Sequence, residues 1–202
     1  PFMVMEYLNG KDLARMVEDH GAMPIPAAVE YLLQACEALA EAHALGIVHR
    51  DLKPANLFLI HRVDGSPCIK VLDFGISKMV NSLSNPGMTK TTAVMGSPLY
   101  MSPEQMKSSK DVDHRTDIWS LGAILYELLS GNPPFIADTM PQLCLMILQD
   151  PLPPLSHVRG DIPPHLEHVV QRCQAKDPNH RSFDVAGQAL FALHAVQDAR
   201  PE

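Results

Sequence analysis

The sequence predicts an α+β fold that is mainly helical and contains one short β-hairpin. Apolar residues recur at helical spacing in long stretches around Cys36, Ile124 and Val170. Two β-prone runs, Leu57 to Ile60 and Ile69 to Leu72, flank an Asp-Gly-Ser-Pro turn signal. With 202 residues, of which 46% are hydrophobic, the chain is long enough for one ordinary domain or slightly more.

The composition argues against several kinds of partner and location. A net charge of −7 and a pI near 5.8 argue against nucleic acid, and no Lys/Arg cluster suggests a membrane surface. The cysteines are widely separated and form no C-x-x-C pair, which indicates reduced thiols rather than a disulfide frame or a zinc site. No signal peptide opens the chain, and its most apolar stretch, Ile118 to Leu129, is too short to span a bilayer. We therefore expect a cytoplasmic location and no membrane segment in this stretch of chain.

The first half of the chain alternates short extended segments with helices. Pro1 to Leu8 is an apolar, β-prone run. A helix is predicted over Leu13 to His20, because Asp12 is suited to cap its start and a glycine follows its end. A longer helix of roughly five turns is predicted from its apolar spacing, which begins at Val29, and Gly46 ends it.

The second half of the chain is predicted to be helical. The helix that opens at Asp117 is apolar on nearly every side and ends before Gly131, so it belongs in the centre of the fold. Further helices are predicted around Gln142 to Gln149, from Leu166 to Cys173 and from Val185 to Val196.

The residues suited to chemistry are concentrated between Ile47 and Asp73. Asp51 can accept the proton of an attacking hydroxyl, and Lys53 can neutralise charge on a transferring phosphate. Asn56 and Asp73 supply the hard oxygen ligands that Mg²⁺ prefers, and a hairpin would bring them to neighbouring strand ends. A single His-Arg-Asp tripeptide would by itself favour a polar loop in which Asp and Asn cap a turn. The complete set favours phosphoryl transfer.

The motifs around these residues resemble those of the eukaryotic-like protein kinases. The pattern H-R-D-L-x-x-x-N runs from His49 to Asn56, and D-F-G follows at Asp73 to Gly75. Lys53, two residues after Asp51, is similar to the Ser/Thr branch. The resemblance therefore implies a Ser/Thr protein kinase, a transferase that uses ATP and Mg²⁺ and acts on protein hydroxyls.

A second motif separates protein kinases from small-molecule phosphotransferases. Ser97 to Glu104 resembles the end of a kinase activation segment, with Ser97 where the family commonly has Thr. Ala55 and the Ser-Pro-Glu-Gln run that ends at Gln105 resemble the bacterial branch of the family. These residues imply a bacterial signalling kinase, and they disfavour the small-molecule alternative.

The resemblance also implies a division of the chain. Residues 1–8 would form the last strand of the small lobe and the interlobe hinge, 9–196 the large lobe, and 197–202 a tail. Within the large lobe, the catalytic loop would span 47–56 and the activation segment 73–104.

The resemblance places the nucleotide against the hinge. It implies that Met5 is the gatekeeper residue, that the backbone of Glu6 and Leu8 faces adenine, and that Phe58 lies beneath it. Asp12 would reach the ribose. Two alternatives stay open, because Phe58 could only pack in the hydrophobic core and Asp12 could only cap the helix that follows.

Five further residues have structural roles in the family. His49 and Phe74 belong to the two central motifs, and Asp117 would hold the backbone of the His-Arg-Asp turn. Asp117 could also serve only as an N-terminal charge that favours the helix dipole. Arg181 is similar to the arginine that pairs with the glutamate of Ser-Pro-Glu, here Glu104.

A polar segment between residues 76 and 94 is long enough to be functional or disordered. It contains Thr89 and Thr91, which resemble the position where bacterial relatives are phosphorylated. Arg50 beside the catalytic Asp51 has a guanidinium suited to bidentate phosphate binding. We expect Thr89 and Thr91 to be autophosphorylated in trans, which requires self-association; an inert solvated loop is the alternative.

The motifs of a kinase small lobe are absent from this sequence. None of the eleven glycines forms G-x-G-x-x-G, and there is no Val-Ala-x-Lys strand. We therefore expect the sequence to be a piece of a longer kinase. A pseudokinase-like binding or scaffold module remains the alternative, although every large-lobe catalytic position is intact.

The 202-residue chain by itself is expected to bind ATP weakly and to transfer no phosphate, because half of the phosphate cradle is missing from it. It is also expected to aggregate through apolar surface that a small lobe would cover. Incubation of the isolated chain with radiolabelled ATP checks this, and robust autophosphorylation would contradict it.

Overall fold

The computed structural model of the protein describes residues 6–74, 97–107 and 112–181. Met5, Thr89, Thr91 and the helix predicted over Val185 to Val196 lie outside these residues. In chain order the described strands and helices are β1 (Gly10–Asp12), α1 (Leu13–His20), α2 (Ile25–Ala44), β2 (Leu57–His61), β3 (Pro67–Val71), α3 (Pro103–Lys107), α4 (Arg115–Ser130), α5 (Met140–Gln149), α6 (Leu155–Val158) and α7 (Pro164–Cys173).

Local signals determine where the first helix begins and ends. The Asp12 carboxylate accepts a hydrogen bond from the Arg15 backbone N–H at 2.9 Å, which caps α1 as one of the two readings of Asp12 predicted. At the other end, Gly21 adopts φ = 73°, a left-handed conformation that favours glycine. The bounds of α1 are those that the sequence predicted.

The three strands form one antiparallel sheet in the order β1-β2-β3. The hairpin was predicted, but β3 begins at Pro67, two residues earlier than expected. The turn is tight, since the Arg62 N–H donates to the Ser66 carbonyl at 2.9 Å, so pairing starts immediately after it. Proline is tolerated as the first residue of a strand because its missing N–H is not needed there.

The strand β1 was not predicted from the sequence. It is only three residues long and pairs with β2, with Gly10 opposite Ile60 and Asp12 opposite Phe58. A Cβ atom on Gly10 would lie 2.0 Å from the Leu59 carbonyl oxygen, so only glycine permits this approach. The sheet therefore holds the segment before α1 against β2, the strand that follows the predicted catalytic loop.

The centre of the molecule is α4, as its apolar sequence predicted. All residues from Thr116 to Leu129 are buried, and the helix packs against α2 on one side and α7 on another. A Cβ atom on Gly122 would lie 2.4 Å from Cys173 Cβ, so glycine permits the close approach of α4 and α7. The helix begins at Arg115, two residues before the predicted start, which puts Asp117 in its first turn.

A smaller apolar cluster joins α5 to the end of the described chain. Trp119 and Phe135 are fully buried and stack with their ring centroids 6.4 Å apart. The Lys176 ammonium lies 4.3 Å from the Phe135 ring centroid and donates to the Ile147 carbonyl at 2.7 Å, near the C-terminus of α5. Burial lowers the pKa of Lys176 to about 8. Among the described helices, none is long and apolar enough to cross a membrane.

Candidate active site

The candidate catalytic loop lies between α2 and β2, at the edge of the sheet. Lys53 Nζ lies 3.3 Å from Asp51 Oδ2, and both side chains are partly buried. The Asn56 carboxamide is buried, and its Nδ2 donates to the Asp51 carbonyl at 3.0 Å. The fold therefore brings together the proposed base, the proposed phosphate-neutralising cation and one metal ligand.

Two non-glycine residues at this site have a left-handed backbone. Arg50, immediately before Asp51, has φ = 65°, and Asp73 has φ = 54°. Such conformations cost about 1–3 kcal/mol each and persist only when the surrounding structure enforces them. The backbone at Arg50, the residue before Asp51, and at Asp73 is therefore held by contacts from elsewhere in the fold.

Asp117 provides the first of these contacts. Its carboxylate is fully buried, and it accepts hydrogen bonds from the backbone N–H groups of His49 and Arg50, each at 2.9 Å. The hydrogen bonds that the resemblance implied for Asp117 occur together with its position in the first turn of α4, so the two interpretations of Asp117 are compatible. His43 Nε2 donates to the same carboxylate at 2.8 Å. The sequence pattern did not single out His43.

His49 joins the catalytic loop to the strand end that carries Asp73. The imidazole is fully buried, and its Nε2 donates to the Leu72 carbonyl at 2.9 Å. Because a carbonyl only accepts, Nδ1 is free to accept the Asp51 backbone N–H at 3.3 Å. The ring also contacts Phe74, with the centroids 4.9 Å apart. His49 and Phe74 therefore connect the two motifs through direct packing.

Asn56 and Asp73 lie at adjacent strand ends, as the predicted hairpin requires. The Leu72 N–H donates to the Asn56 carbonyl at 2.8 Å, one residue before Asp73. Since Asn56 Nδ2 is used by the Asp51 carbonyl, its Oδ1 is the atom available as a ligand. The Asp73 carboxylate is exposed. A carboxylate and an amide oxygen at neighbouring positions fit Mg²⁺, which takes few protein ligands and completes its shell with water and phosphate.

The segment from Tyr100 to Glu104 is fastened to α4. Ser120 Oγ donates to the Tyr100 carbonyl at 2.8 Å, and the Ser102 and Thr116 hydroxyls lie 2.7 Å apart. The Tyr100 hydroxyl donates to Glu127 at 2.7 Å, and burial raises the pKa of both groups. The end of the predicted activation segment is therefore fixed relative to the catalytic loop.

An open cavity of about 420 Å³ lies between this segment and the catalytic loop. Its wall includes Lys53 and Ala55 of the loop, the buried Tyr100–Glu127 pair, and Glu18 of α1. Lys53, whose ammonium lies 3.3 Å from Asp51 Oδ2, is the residue that connects this cavity to the candidate catalytic loop.

Glu104 and Arg181 form the pair that the resemblance implied. The two guanidinium Nη atoms donate to the two carboxylate oxygens at 2.6 and 2.8 Å, a bidentate geometry. The Arg181 side chain is fully buried; its Nε donates to the Ala175 carbonyl at 2.7 Å, and its guanidinium lies 5.0 Å from the Trp119 ring centroid. The pair ties α3 to the chain that follows α7.

Comparison with known proteins decides the family. A model described as the protein kinase domain matches residues 1–190. The chain belongs to the protein kinase family. This kinase chain is 40% identical over 201 residues to the serine/threonine-protein kinase PknB of Mycolicibacterium smegmatis, an alignment that covers 99% of the chain and 31% of PknB. It is 39% identical to the serine/threonine-protein kinase Pkn1 of Myxococcus xanthus, covering 99% of the chain and 29% of Pkn1.

Solved kinase structures have the same fold. The kinase domain of Mycobacterium tuberculosis PknI superposes with a TM-score of 0.70 at 26% identity, covering 95% of the chain and 64% of that domain. Rad53 1-466 in complex with AMP-PNP also gives a TM-score of 0.70, at 28% identity, covering 95% of the chain and 45% of that solved chain. The resemblance to bacterial Ser/Thr kinases and the mainly helical α+β fold are confirmed. The chain spans about a third of the length of the curated relatives described above.

The structure places the predicted nucleotide-binding residues of this kinase chain only in part. Asp12 and Phe58 are opposite each other in the β1–β2 pairing, so the sheet brings them together. Glu6 is exposed and Leu8 partly buried in the extended segment before β1, whereas Met5 lies outside the described residues. Their contacts with adenine and ribose stay predictions.

We expect Arg181→Met to lower the free energy of unfolding by about 3–5 kcal/mol, the usual cost of removing one partner of a buried ion pair. The reason is that Glu104 would lose both of its guanidinium hydrogen bonds. Arg115→Met is the matched control, since its pair with Asp113 is partly exposed and should contribute about 1 kcal/mol or less. Urea unfolding of the full-length protein measures both changes, and equal losses would contradict this prediction.

Proposed function

We propose that the full-length protein carrying this chain is a Ser/Thr protein kinase, which transfers the γ-phosphate of ATP to a hydroxyl group of a protein. The observation that carries the proposal is the position of Asp51. Its carboxylate lies 3.3 Å from the Lys53 ammonium, and the turn before it is held by two backbone hydrogen bonds to the buried Asp117. Its membership of the kinase family and its relatives named Ser/Thr-protein kinases support it.

Each residue of the loop has a separate role in the proposed reaction. Asp51 accepts the proton of the attacking Ser or Thr hydroxyl as its oxygen bonds to the γ-phosphorus of ATP, and the bond from that phosphorus to the bridging oxygen breaks so that ADP leaves. Lys53 balances the charge of Asp51 and of the phosphoryl group that is transferred. His49 holds the Asp51 backbone N–H and keeps the loop in register with β3.

Asn56 and Asp73 are the proposed metal ligands, and the chemistry of their oxygens fits Mg²⁺. When bound, this cation would neutralise negative charge on the phosphate oxygens of ATP. For the rest of the nucleotide we propose that the backbone of Glu6 and Leu8 binds adenine, with Met5 as gatekeeper and Phe58 beneath the ring. Asp12 would bind ribose in addition to capping α1.

The proposed macromolecular partners are a protein substrate and, for phosphorylation in trans, a second copy of the kinase. We propose that the cavity beside Lys53 holds a side chain of the protein substrate that neighbours the Ser or Thr to be phosphorylated. Cys36, Cys68, Cys144 and Cys173 form no disulfide among the described residues. We propose a cytoplasmic location for this part of the protein. The division into residues 1–8, 9–196 and 197–202 is part of the same proposal.

Phosphoamino-acid analysis tests the proposed function. The full-length protein is incubated with radiolabelled ATP, Mg²⁺ and a general protein substrate, and the labelled protein is then hydrolysed. We expect labelled phosphoserine or phosphothreonine from the parent protein and none from Asp51→Asn. Binding of ATP without any transfer would instead support the scaffold alternative.

We propose that phosphate on Thr89 and Thr91 activates the kinase by pairing with Arg50. The Arg50 side chain is exposed beside the catalytic loop, where its Nη2 donates to the Val112 carbonyl at 3.3 Å. A phosphate adds about −1.5 to −2 charge and accepts bidentate hydrogen bonds from a guanidinium, which would attach the segment to the loop that carries Asp51. Lys78 of the same segment would add a second cation.

The double variant Thr89→Ala/Thr91→Ala is therefore expected to lower kcat by about tenfold or more, as loss of an activating charge pair would do. Mass spectrometry should find phosphate on this segment in the parent protein and none in Asp51→Asn. Thr92→Ala, a neighbouring hydroxyl on the same segment, is the matched control and should retain parental activity. If the double variant is as active as the parent, the activating site is not on these threonines.

A further inference from the structure

Gln105 forms hydrogen bonds at both ends of its carboxamide. Its Oε1 accepts from the Ser102 backbone N–H at 3.0 Å, and its Nε2 donates to the Arg50 carbonyl at 2.8 Å. Because an N–H only donates and a carbonyl only accepts, these two partners together fix which end of the amide is which. One side chain therefore joins the start of α3 to the turn before Asp51.

The Oε1 end of Gln105 belongs to a capping box. Ser102 precedes the first residue of α3, and its Oγ accepts from the Gln105 backbone N–H at 3.3 Å. The reciprocal bond from the Ser102 N–H to Gln105 Oε1 completes the S-x-x-Q pattern, which stabilises a helix start. Capping uses only the oxygen of the carboxamide, so the bond from Nε2 to Arg50 lies outside the capping box.

The Nε2 end of Gln105 acts on a residue whose backbone is strained. Arg50 has φ = 65°, its N–H donates to Asp117 at 2.9 Å, and its carbonyl accepts from Gln105. The peptide groups on either side of Arg50 are therefore held from two directions, by α4 through Asp117 and by α3 through Gln105. Asp51 is the next residue, so the direction of the Arg50 carbonyl sets the start of the Asp51 backbone.

The helix that carries Gln105 is itself fixed. Glu104, its immediate neighbour, holds both Nη atoms of the fully buried Arg181, and Ser102 contacts Thr116 of α4 at 2.7 Å. We propose that Gln105 is a positioning residue through which the end of the activation segment orients the catalytic Asp51. This inference rests on the proposed phosphoryl transfer and adds a residue to it.

Two substitutions separate positioning from capping. Gln105→Glu keeps an oxygen for the Ser102 N–H, so the capping box remains, but it removes the donor to Arg50. Gln105→Met is of similar length and removes both bonds. We expect both variants to lower kcat by about 10-fold to 100-fold, the range that a small misplacement of a catalytic group can cause, with KM for ATP within about twofold of the parent value.

Hydrogen exchange of backbone amides in the full-length protein gives a readout that needs no activity. Both variants should accelerate exchange of the Arg50 N–H, because the turn opens more often without the Gln105 tether. Exchange of the Ser102 N–H should accelerate in Gln105→Met and stay parental in Gln105→Glu. A purely structural role in capping would affect only the methionine variant.

Gln34 provides the matched control. It also uses both ends of its carboxamide, accepting from the Ile69 N–H at 2.9 Å and donating to the Pro67 carbonyl at 3.3 Å, and both of these partners are in β3 rather than in the turn before Asp51. Gln34→Met should leave kcat and the exchange of Arg50 at parental values.

Four outcomes would overturn the role of Gln105. They are unchanged kcat in both variants, a loss confined to Gln105→Met, which would assign the effect to the capping box, a loss confined to Gln105→Glu, which would assign it to the added charge, and unchanged exchange of the Arg50 N–H. If the parent protein transfers no phosphate, the proposed function is wrong, and Gln105 then has no catalytic residue to orient. The exchange rates would still show in that case whether the hydrogen bond from Gln105 holds the turn at Arg50.

Discussion

Asp51→Asn is expected to lower kcat by about 10²–10⁴, the usual contribution of a positioned base, and to leave the affinity for ATP unchanged. Asparagine has the size of aspartate but cannot accept the proton of the attacking hydroxyl. The backbone of residue 51 is held by His49 and its neighbour by Asp117, so the loop should keep its conformation in the variant. The loss would therefore be confined to the chemical step.

Steady-state kinetics and calorimetric ATP binding on the full-length protein check this expectation. Asp113→Asn is the control, because that exposed carboxylate is bonded to Arg115 and lies outside the catalytic loop. Its kcat should match the parent. A near-parental kcat for Asp51→Asn would remove the assignment of Asp51 as the base.

Asp73→Ala is expected to abolish Mg²⁺-dependent turnover, with kcat reduced by about 10³ or more, since a catalytic metal ion contributes several kcal/mol to transition-state stabilisation. The variant removes the exposed carboxylate at the end of β3, while the hydrogen bond between Leu72 and Asn56 remains to hold the hairpin. Asn56 alone would offer only one neutral oxygen to the cation.

Titration of kcat with Mg²⁺ distinguishes this loss from the loss in Asp51→Asn. Asp51→Asn should show the same dependence of kcat on Mg²⁺ concentration as the parent, with a lower kcat at saturating Mg²⁺. Asp73→Ala should show no activity at any Mg²⁺ concentration tested. Asp64→Ala is the control, because Asp64 is an exposed carboxylate in the turn at the opposite end of the same hairpin. Normal Mg²⁺ dependence in Asp73→Ala would contradict its role as a ligand.

The sequence predicted the parts of the structure that local chemistry determines. Asp12 and Gly21 mark the ends of α1 because capping and a left-handed glycine act within one helical turn. The central position of α4 followed from its composition, since a helix without a polar face has to be buried. The hairpin brought Asn56 next to Asp73 because its turn sequence and two short strands leave little choice of pairing.

Contacts between segments far apart in the sequence could not be predicted from it. His43 donates to Asp117, 74 positions away, and Gln105 donates to Arg50, 55 positions away. Neither side chain belongs to a periodic pattern, and each contact depends on how whole helices pack. The strand β1 was not predicted for a similar reason. Three residues carry no periodic signal, and their pairing depends on the position of β2.

The resemblance to a known family supplied what local patterns did not. It indicated the pairing of Glu104 with Arg181 and the clamp of Asp117 on the His-Arg-Asp turn, and both contacts are present. It did not indicate the second partner of Arg50. The Ser-Pro-Glu-Gln run has capping-box spacing, which predicts the bond between Gln105 and Ser102 but not the bond from Gln105 to the Arg50 carbonyl.

A single-turnover experiment measures phosphoryl transfer at this loop most directly. The full-length protein in excess is mixed with radiolabelled ATP and Mg²⁺, and label on protein Ser or Thr is followed in time for the parent, Asp51→Asn and Asp73→Ala. We predict rapid transfer by the parent, transfer slowed by about 10²–10⁴ in Asp51→Asn at equal ATP occupancy, and none in Asp73→Ala. Equal transfer rates in the parent and Asp51→Asn, or label on no hydroxyl residue, would contradict a catalytic role for this loop.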